Sequence, residues 1–230
     1  MPDLFDRIPQ KYSILLTGPK SVDKTALGID LMMHYLEKGE KVILMSTDSG
    51  PERIKSLFSS RRIELGKYSD RFIIIDCFTP WAAAGTPESP EYAMSTQPDV
   101  DALRASILKA TSRLAGNVHV FIDSASSVFL HNGNLATLGF LHQICAGAGK
   151  DYDSVMLILH DKVHEEKTLS EIRTMVNGVI ETRSDDELNI LMRFARLNGA
   201  KTEPGWQQFK VTDTGIVFED PHARADAQRP

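Results

Sequence analysis

Short, wholly apolar runs alternate along the chain with stretches whose apolar residues return every three or four positions. Residues 12–16 are a β-rich run that ends in Thr17-Gly18. Residues 25–36 follow, with Ala26, Ile29, Met32, Met33 and Leu36 on one helical face and a stop at Gly39. A second strand is predicted over 41–45, then a short helix over 51–58 with Pro51 suited to its first turn. Phe72-Ile73-Ile74-Ile75 marks a third strand over 71–77. Further on, the pattern predicts helices over 99–114, 135–146 and 169–176, and strands over 118–122 and 154–159. Residues 178–182, 187–196 and 208–217 read as a closing antiparallel meander. The stretch 79–100 differs. Pro80, Pro87, Pro90 and Gly85 break any regular helix near its start, so it reads as a long loop.

Strands that are apolar on both faces and alternate with helices predict an α/β fold. Its central sheet is mostly parallel, with helices on both faces and antiparallel strands at the C-terminus. One domain is expected over 1–220, with a polar tail over 221–230. Ligands in such sheets sit at the carboxyl ends of the strands, so candidate chemistry is sought there.

Composition narrows the choices. Lys plus Arg is 26 against 31 Asp plus Glu, a net charge of −5, which argues against a general electrostatic grip on nucleic acid. No apolar run approaches the ~18 residues of a membrane span. The first residues lack the basic region and apolar core of a signal peptide, so a cytoplasmic protein is expected. Cys77 and Cys145 have no metal or redox spacing and are expected to be buried free thiols.

The first strand ends in Gly18-Pro19-Lys20-Ser21-Val22-Asp23-Lys24-Thr25. This fits the phosphate-binding pattern G-x-x-x-x-G-K-[ST] except at Asp23, where the second glycine belongs. Gly18, Lys20, Ser21, Val22, Asp23, Lys24, Thr25 and Ala26 are the candidate cradle for ATP or ADP, on the positive end of a helix. Lys24 would neutralise the phosphates, and the Thr25 hydroxyl would bind Mg²⁺. Asp23 adds a negative charge near a triphosphate. Two arrangements soften that: an outward turn toward Lys20, or capping of the helix that begins near Lys24. The strand Val118-His119-Val120-Phe121-Ile122 ends in Asp123, a Walker B pattern whose carboxylate would hold the Mg²⁺ water shell. An ordinary strand–turn–helix that holds no nucleotide is the competing reading.

These two motifs are joined by three further pieces. They are Val42-Ile43-Leu44-Met45-Ser46-Thr47-Asp48-Ser49-Gly50-Pro51, then Met175-Val176-Asn177-Gly178-Val179-Ile180-Glu181, and Arg196-Leu197-Asn198-Gly199 followed by Phe209-Lys210-Val211-Thr212-Asp213-Thr214-Gly215-Ile216. In this order they make residues 12–219 resemble the RecA-superfamily P-loop ATPases of the KaiC type and their archaeal single-domain relatives such as the FlaH proteins. The resemblance implies a RecA-like fold, ATP or ADP with Mg²⁺, and a protein partner or homo-oligomer. It puts the paired glutamates of the family, one of them the base that activates water, on Asp48 and Ser49. Its K-x-R-G segment, which reaches the nucleotide of a neighbouring subunit, falls on Arg196 and Asn198. Asp23, Ser49 and Asn198 all depart toward weak hydrolysis. A nucleotide-dependent regulator with weak or no ATPase activity is therefore expected. The alternatives are an active ATPase that drives assembly or remodelling of a partner complex, and a structural module without nucleotide.

Other candidates are weaker. His160, at the end of the fifth strand, could sense a γ-phosphate or simply cap a loop. His160 and His164 lack a third zinc ligand, and His119 has no ligand spacing and no assigned role. Trp81 could stack on a ligand but suits packing better.

Overall fold

The computed structural model describes residues 4–81, 93–97, 99–200 and 205–219. Ten strands form one sheet: β1 (Tyr12–Gly18), β2 (Lys41–Ser46), β3 (Phe72–Asp76), β4 (Ala93–Ser95), β5 (Val118–Ile122), β6 (Ser154–His160), β7 (Gly178–Ser184), β8 (Ile190–Leu197), β9 (Gln207–Thr212) and β10 (Gly215–Phe218). Their spatial order is β10-β9-β8-β7-β1-β6-β5-β2-β3-β4. From β7 across to β4 all neighbours are parallel, whereas β7 to β10 pair antiparallel. The sheet is thus mostly parallel with an antiparallel C-terminal edge, as the alternation of elements predicts.

The continuous apolar runs are explained by period-two sorting onto two covered faces. Ile14, Leu16, Val42, Leu44, Phe72 and Ile74 join one core. There they pack on α1 (Lys24–Glu37) and α2 (Pro51–Ser60), through residues such as Leu27, Leu31 and Phe58. The intervening Leu15, Ile43, Met45, Ile73, Ile75 and Leu157 join the other core. That face is covered by α4 (Val100–Leu114), α5 (Ala125–Asn132), α6 (Asn134–Ala146) and α7 (Glu166–Met175). Cys77 and Cys145 are buried free thiols, as expected. Among the described residues no helix is long and apolar enough to cross a membrane.

Four expectations need correction. The 79–100 stretch is not wholly loop: the short helix α3 (Phe78–Trp81) opens it, and β4 adds to the sheet edge beside β3. Asp76 starts α3 by accepting from the backbone N–H groups of Phe78 and Thr79 at 3.1 and 2.9 Å. A three-residue edge strand is too short to show a period. Residues 82–92 and 98 lie outside the described residues, as do the side chain of Trp81 and the tail 221–230. Helix α5 was not predicted, because Ala125-Ser126-Ser127 reads as loop. Ser124 caps it, with its Oγ accepting from the Ser127 N–H. The supposed single element over 208–217 is a hairpin, β9 and β10, turning at Asp213-Thr214. Finally, β7 is the first strand of the meander only on one side, since its other edge is parallel to β1.

Candidate functional site

At the carboxyl end of β1 the chain leaves the sheet, turns through residues 19–23 and enters α1. Gly18 is required by packing: a Cβ there would come within 2.5 Å of the Thr182 carbonyl oxygen and closer still to its Oγ1. Asp23 is the N-cap of α1, its carboxylate accepting from the Ala26 N–H at 3.2 Å. Of the two arrangements open to Asp23, capping is the one found. Its φ of −72° lies in ordinary space for any residue, so this loop shape does not itself demand glycine.

Lys24 is only 2% exposed. Its ammonium donates to the carbonyls of Gly18, Pro19 and Val22 at 3.2, 2.8 and 3.4 Å, which engages all three of its protons. Burial pulls its pKa down to about 8, against the opposing pull of the Asp161 and Asp23 carboxylates. Two loop amides are also turned inward: Val22 N–H donates to Pro19 O and Lys24 N–H to Val22 O. The loop is therefore closed on its own lysine.

Across the sheet, Asp123 ends β5 two strands from β1. It and Thr25 lie at the edge of a small apolar cavity between the sheet and the helices α1 and α2, lined further by Ile29, Met32, Leu44, Phe58 and Ile158. One carboxylate oxygen takes the N–H and Oγ1 of Thr47 at 2.8 Å each; the other lies 2.7 Å from Ser46 Oγ. Burial raises the Asp123 pKa to about 6, and the nearby Asp48 carboxylate adds to the rise. Ser46 Oγ also lies 2.7 Å from Ser49 O, and one hydroxyl proton cannot serve both acceptors. A protonated Asp123 donating to Ser46 Oγ would free the Ser46 proton for Ser49 O, while Thr47 Oγ1 still faces two acceptors, Asp123 Oδ1 and Ser124 O at 3.0 Å.

Asp48 is exposed and accepts a close hydrogen bond from Ser127 Oγ. Ser49, beside it, is 9% exposed and offers no carboxylate. His160 ends β6 directly opposite Gly18 in the ladder. Its backbone N–H donates to Ser126 Oγ at 3.1 Å, and burial with the Lys24 charge lowers its pKa. Three buried side-chain atoms at this end of β1 and β6 have no partner: Thr17 Oγ1, His160 Nδ1 and Asp161 Oδ1. Unmet polar atoms beside a buried ammonium fit a site that takes a polar ligand. Sequence reasoning gave no role to Thr17, next to the loop in the chain, or to Asp161, which only the β1–β6 register brings to it.

Lys20, Ser21, Val22, Asp23, Lys24, Thr25 and Ala26 thus stand with Asp48, Asp123 and His160 at one end of the sheet. Arg196 and Asn198 do not join them. Arg196 sits opposite Val179, which pairs with Leu15 in the middle of β1, and its guanidinium donates to the Arg173 and Val176 carbonyls at the end of α7. Asn198 is exposed, its N–H donating to Asn177 O.

The family model described as "ATPase: KaiC" matches residues 1–223. A UPF0273 protein of Aeropyrum pernix is 23% identical over 222 residues, spanning 93% of this chain and 88% of that protein. A UPF0273 protein of Thermotoga maritima is 24% identical over 222 residues, spanning 92% of this chain and 88% of its own. Among solved structures, a KaiC-like protein from the archaeon Pyrococcus horikoshii matches with a TM-score of 0.75. That match covers 93% of this chain and 92% of the other at 16% identity, a likeness of fold.

Proposed function

This chain belongs to the KaiC ATPase family, and from that premise we propose that it is a single-domain, Mg²⁺-dependent ATP- or ADP-binding regulator with little hydrolysis. The carrying observation is the buried Lys24 ammonium at a strand–loop–helix junction, coupled electrostatically to His160 and Asp161, each of which has a buried side-chain atom without a partner. A phosphate offers that ammonium stronger, charge-assisted partners than the three carbonyls that hold it. Binding then needs the loop to open: Lys24 leaves Gly18, Pro19 and Val22, and the Val22 and Lys24 amides turn toward the ligand. Thr25 and Asp123 would hold Mg²⁺, which supplies charge neutralisation between phosphate oxygens. The deciding experiment is calorimetric titration with ATP and ADP plus Mg²⁺, alongside steady-state phosphate release. Absence of binding to either nucleotide would favour a structural module.

Asp23 sets the cost of opening. Its carboxylate lies next to the phosphate path, and like charges ~4 Å apart at an effective dielectric near 20 repel by roughly 4 kcal/mol before screening. Replacing an N-cap Asp with Gly costs only a few tenths of a kcal/mol in helix stability. Asp23→Gly is therefore expected to tighten ATP binding about tenfold, or about 1.4 kcal/mol, and ADP less. Unchanged affinities for both would refute the repulsion.

Weak hydrolysis follows from the two positions beyond β2. Asp48 is one methylene shorter than glutamate and is engaged by Ser127, while Ser49 has no basicity. Ser49→Glu is expected to raise phosphate release above wild type. A wild-type rate near ~10 s⁻¹, the ordinary enzyme median, would instead support an active ATPase. A partner or a second copy of the chain remains part of the proposal. For Arg196 to serve a neighbour's nucleotide, it must first release the Arg173 and Val176 carbonyls.

A further inference from the structure

At the amino ends of three adjacent strands, away from the loop, three metal-ligating side chains converge. Glu40 immediately precedes β2, His119 is the second residue of β5, and Asp153 immediately precedes β6. In the sheet β5 lies between β2 and β6, and the ladder sets His119 opposite both Val42 and Ser154. His119 Nε2 lies 2.5 Å from Glu40 Oε2 and 3.9 Å from Asp153 Oδ2. One ligand atom from each of the three lies within 4.8 Å of the others.

The imidazole is held as a metal ligand is held. Its other nitrogen, Nδ1, is 2.6 Å from Ser154 Oγ, an outer partner of the kind that fixes ring orientation at metal centres. The Tyr35 ring stacks on it with centroids 3.6 Å apart and planes 4° from parallel. The His119 side chain is 4% exposed and that of Asp153 12%, while Glu40 at 25% leaves a way in from solvent.

Charge is the second, independent argument. Nε2 has at most one proton to give, and Glu40 is the partner within reach. Asp153 at 3.9 Å is too far for a hydrogen bond. Among the described residues neither carboxylate has a lysine or arginine within ion-pair distance. Two carboxylates are thus drawn together with one imidazole and no cation, an imbalance that a divalent ion cancels.

We propose that Glu40, His119 and Asp153 form a binding site for a divalent transition ion of the zinc class, joining the amino ends of β2, β5 and β6. Ligand atoms in a tetrahedral zinc site lie about 3.3 Å apart at bond lengths of ~2.0–2.1 Å. Glu40 would move out by about 0.8 Å and Asp153 in by about 0.6 Å, with water completing the shell. One nitrogen and two oxygens, without thiolate, suit Zn²⁺, Co²⁺ or Mn²⁺ better than a soft ion, and the imidazole disfavours Ca²⁺ and Mg²⁺. The site is independent of the nucleotide reading.

The test uses the full chain, stripped with a chelator and kept free of nucleotide. ZnCl₂ is titrated against a chromophoric competitor, and CoCl₂ is followed by its visible absorption. One equivalent is expected, with tetrahedral cobalt bands. At a hundredfold excess over Kd, Zn²⁺ should raise Tm by roughly 5–10 °C. Glu40→Gln and Asp153→Asn, each nearly isosteric, should each weaken Zn²⁺ binding by about 100-fold or more, because each removes a direct ligand. Their ATP affinity should stay as in wild type. His164→Gln, away from the trio, should change nothing. No stoichiometric binding, or binding that survives both carboxylate substitutions, overturns the proposal. So does binding that is lost in His164→Gln. If one carboxylate variant fails to fold, the other decides.

Discussion

Lys24→Met is expected to abolish measurable binding of both ATP and ADP while leaving the fold at least as stable as wild type. The functional half rests on the ammonium being the one cation held inside the loop. A charge-assisted phosphate contact in a partly desolvated cradle contributes more than a surface pair. Loss of about 3 kcal/mol, a factor of more than 100, is the expected scale. The stability half rests on burial. The folded pKa of Lys24 is drawn down to about 8 from an ordinary 10.5, so the folded state disfavours the proton that the unfolded state keeps. Below about pH 8 this group therefore opposes folding, and the opposition fades as pH rises from about 8 to 10.5. Methionine keeps the apolar stem and removes the charge. Nucleotide affinity of the wild type should likewise fall as pH rises above 8, by at most tenfold per unit, because the free loop loses the proton that phosphate binding needs. Calorimetry across pH 7–9.5 with circular-dichroism melts checks all three. An unchanged affinity in Lys24→Met would place the nucleotide elsewhere.

Where sequence reading succeeded, one local signal sufficed. The β1 run, the loop and the α1 periodicity are contiguous, so the strand–loop–helix at the carboxyl end of β1 could be read from residues 12–36 alone. The capping role of Asp23 was one of two arrangements that its chemistry allowed, and the Ala26 N–H decides between them. What escaped has a common cause. β4 has three residues and α5 opens on serines, so neither carries a period or an apolar face long enough to read. Asp161 acts on Lys24 across the β1–β6 pair. Glu40, His119 and Asp153 lie 79 and 34 residues apart in the chain and meet only through the ladder. Convergence set by strand register has no signature in spacing. Arg196 shows the reverse: a motif position can be recognised while its side chain is committed to a helix end in its own chain.

Asp123→Asn should separate function from stability more sharply than any other substitution. The carboxylate pKa is raised to about 6, chiefly by burial and then by Asp48. For an acid this means that the folded state holds a proton which the unfolded state, near 3.8, has lost. Above pH 6 the ionised group therefore opposes folding, and stability recovers as pH falls from about 6 toward 3.8. Two pKa units correspond to about 3 kcal/mol at most. Asp123 keeps some contact with solvent, so about 1–2 kcal/mol is the expected scale, or a rise in Tm of roughly 2–8 °C in a chain of this size. Asparagine suits the local hydrogen bonds. Its amide donates to Ser46 Oγ, which frees the Ser46 proton for Ser49 O, while its carbonyl still accepts from the Thr47 N–H and Oγ1. The same change removes the negative charge that would hold Mg²⁺ with Thr25. Any gain in nucleotide affinity on adding Mg²⁺ should therefore vanish in Asp123→Asn, and in wild type it should fade below pH 6. Melts at pH 5 and pH 8 give the decisive comparison. The mutant's advantage should be full at pH 8 and roughly halved at pH 5, and it should vanish only below about pH 3.8, where the unfolded carboxyl is protonated as well. A mutant that melts below wild type at pH 8 would mean that the ionised carboxylate supports the fold, and the buried-proton account of this site would fail.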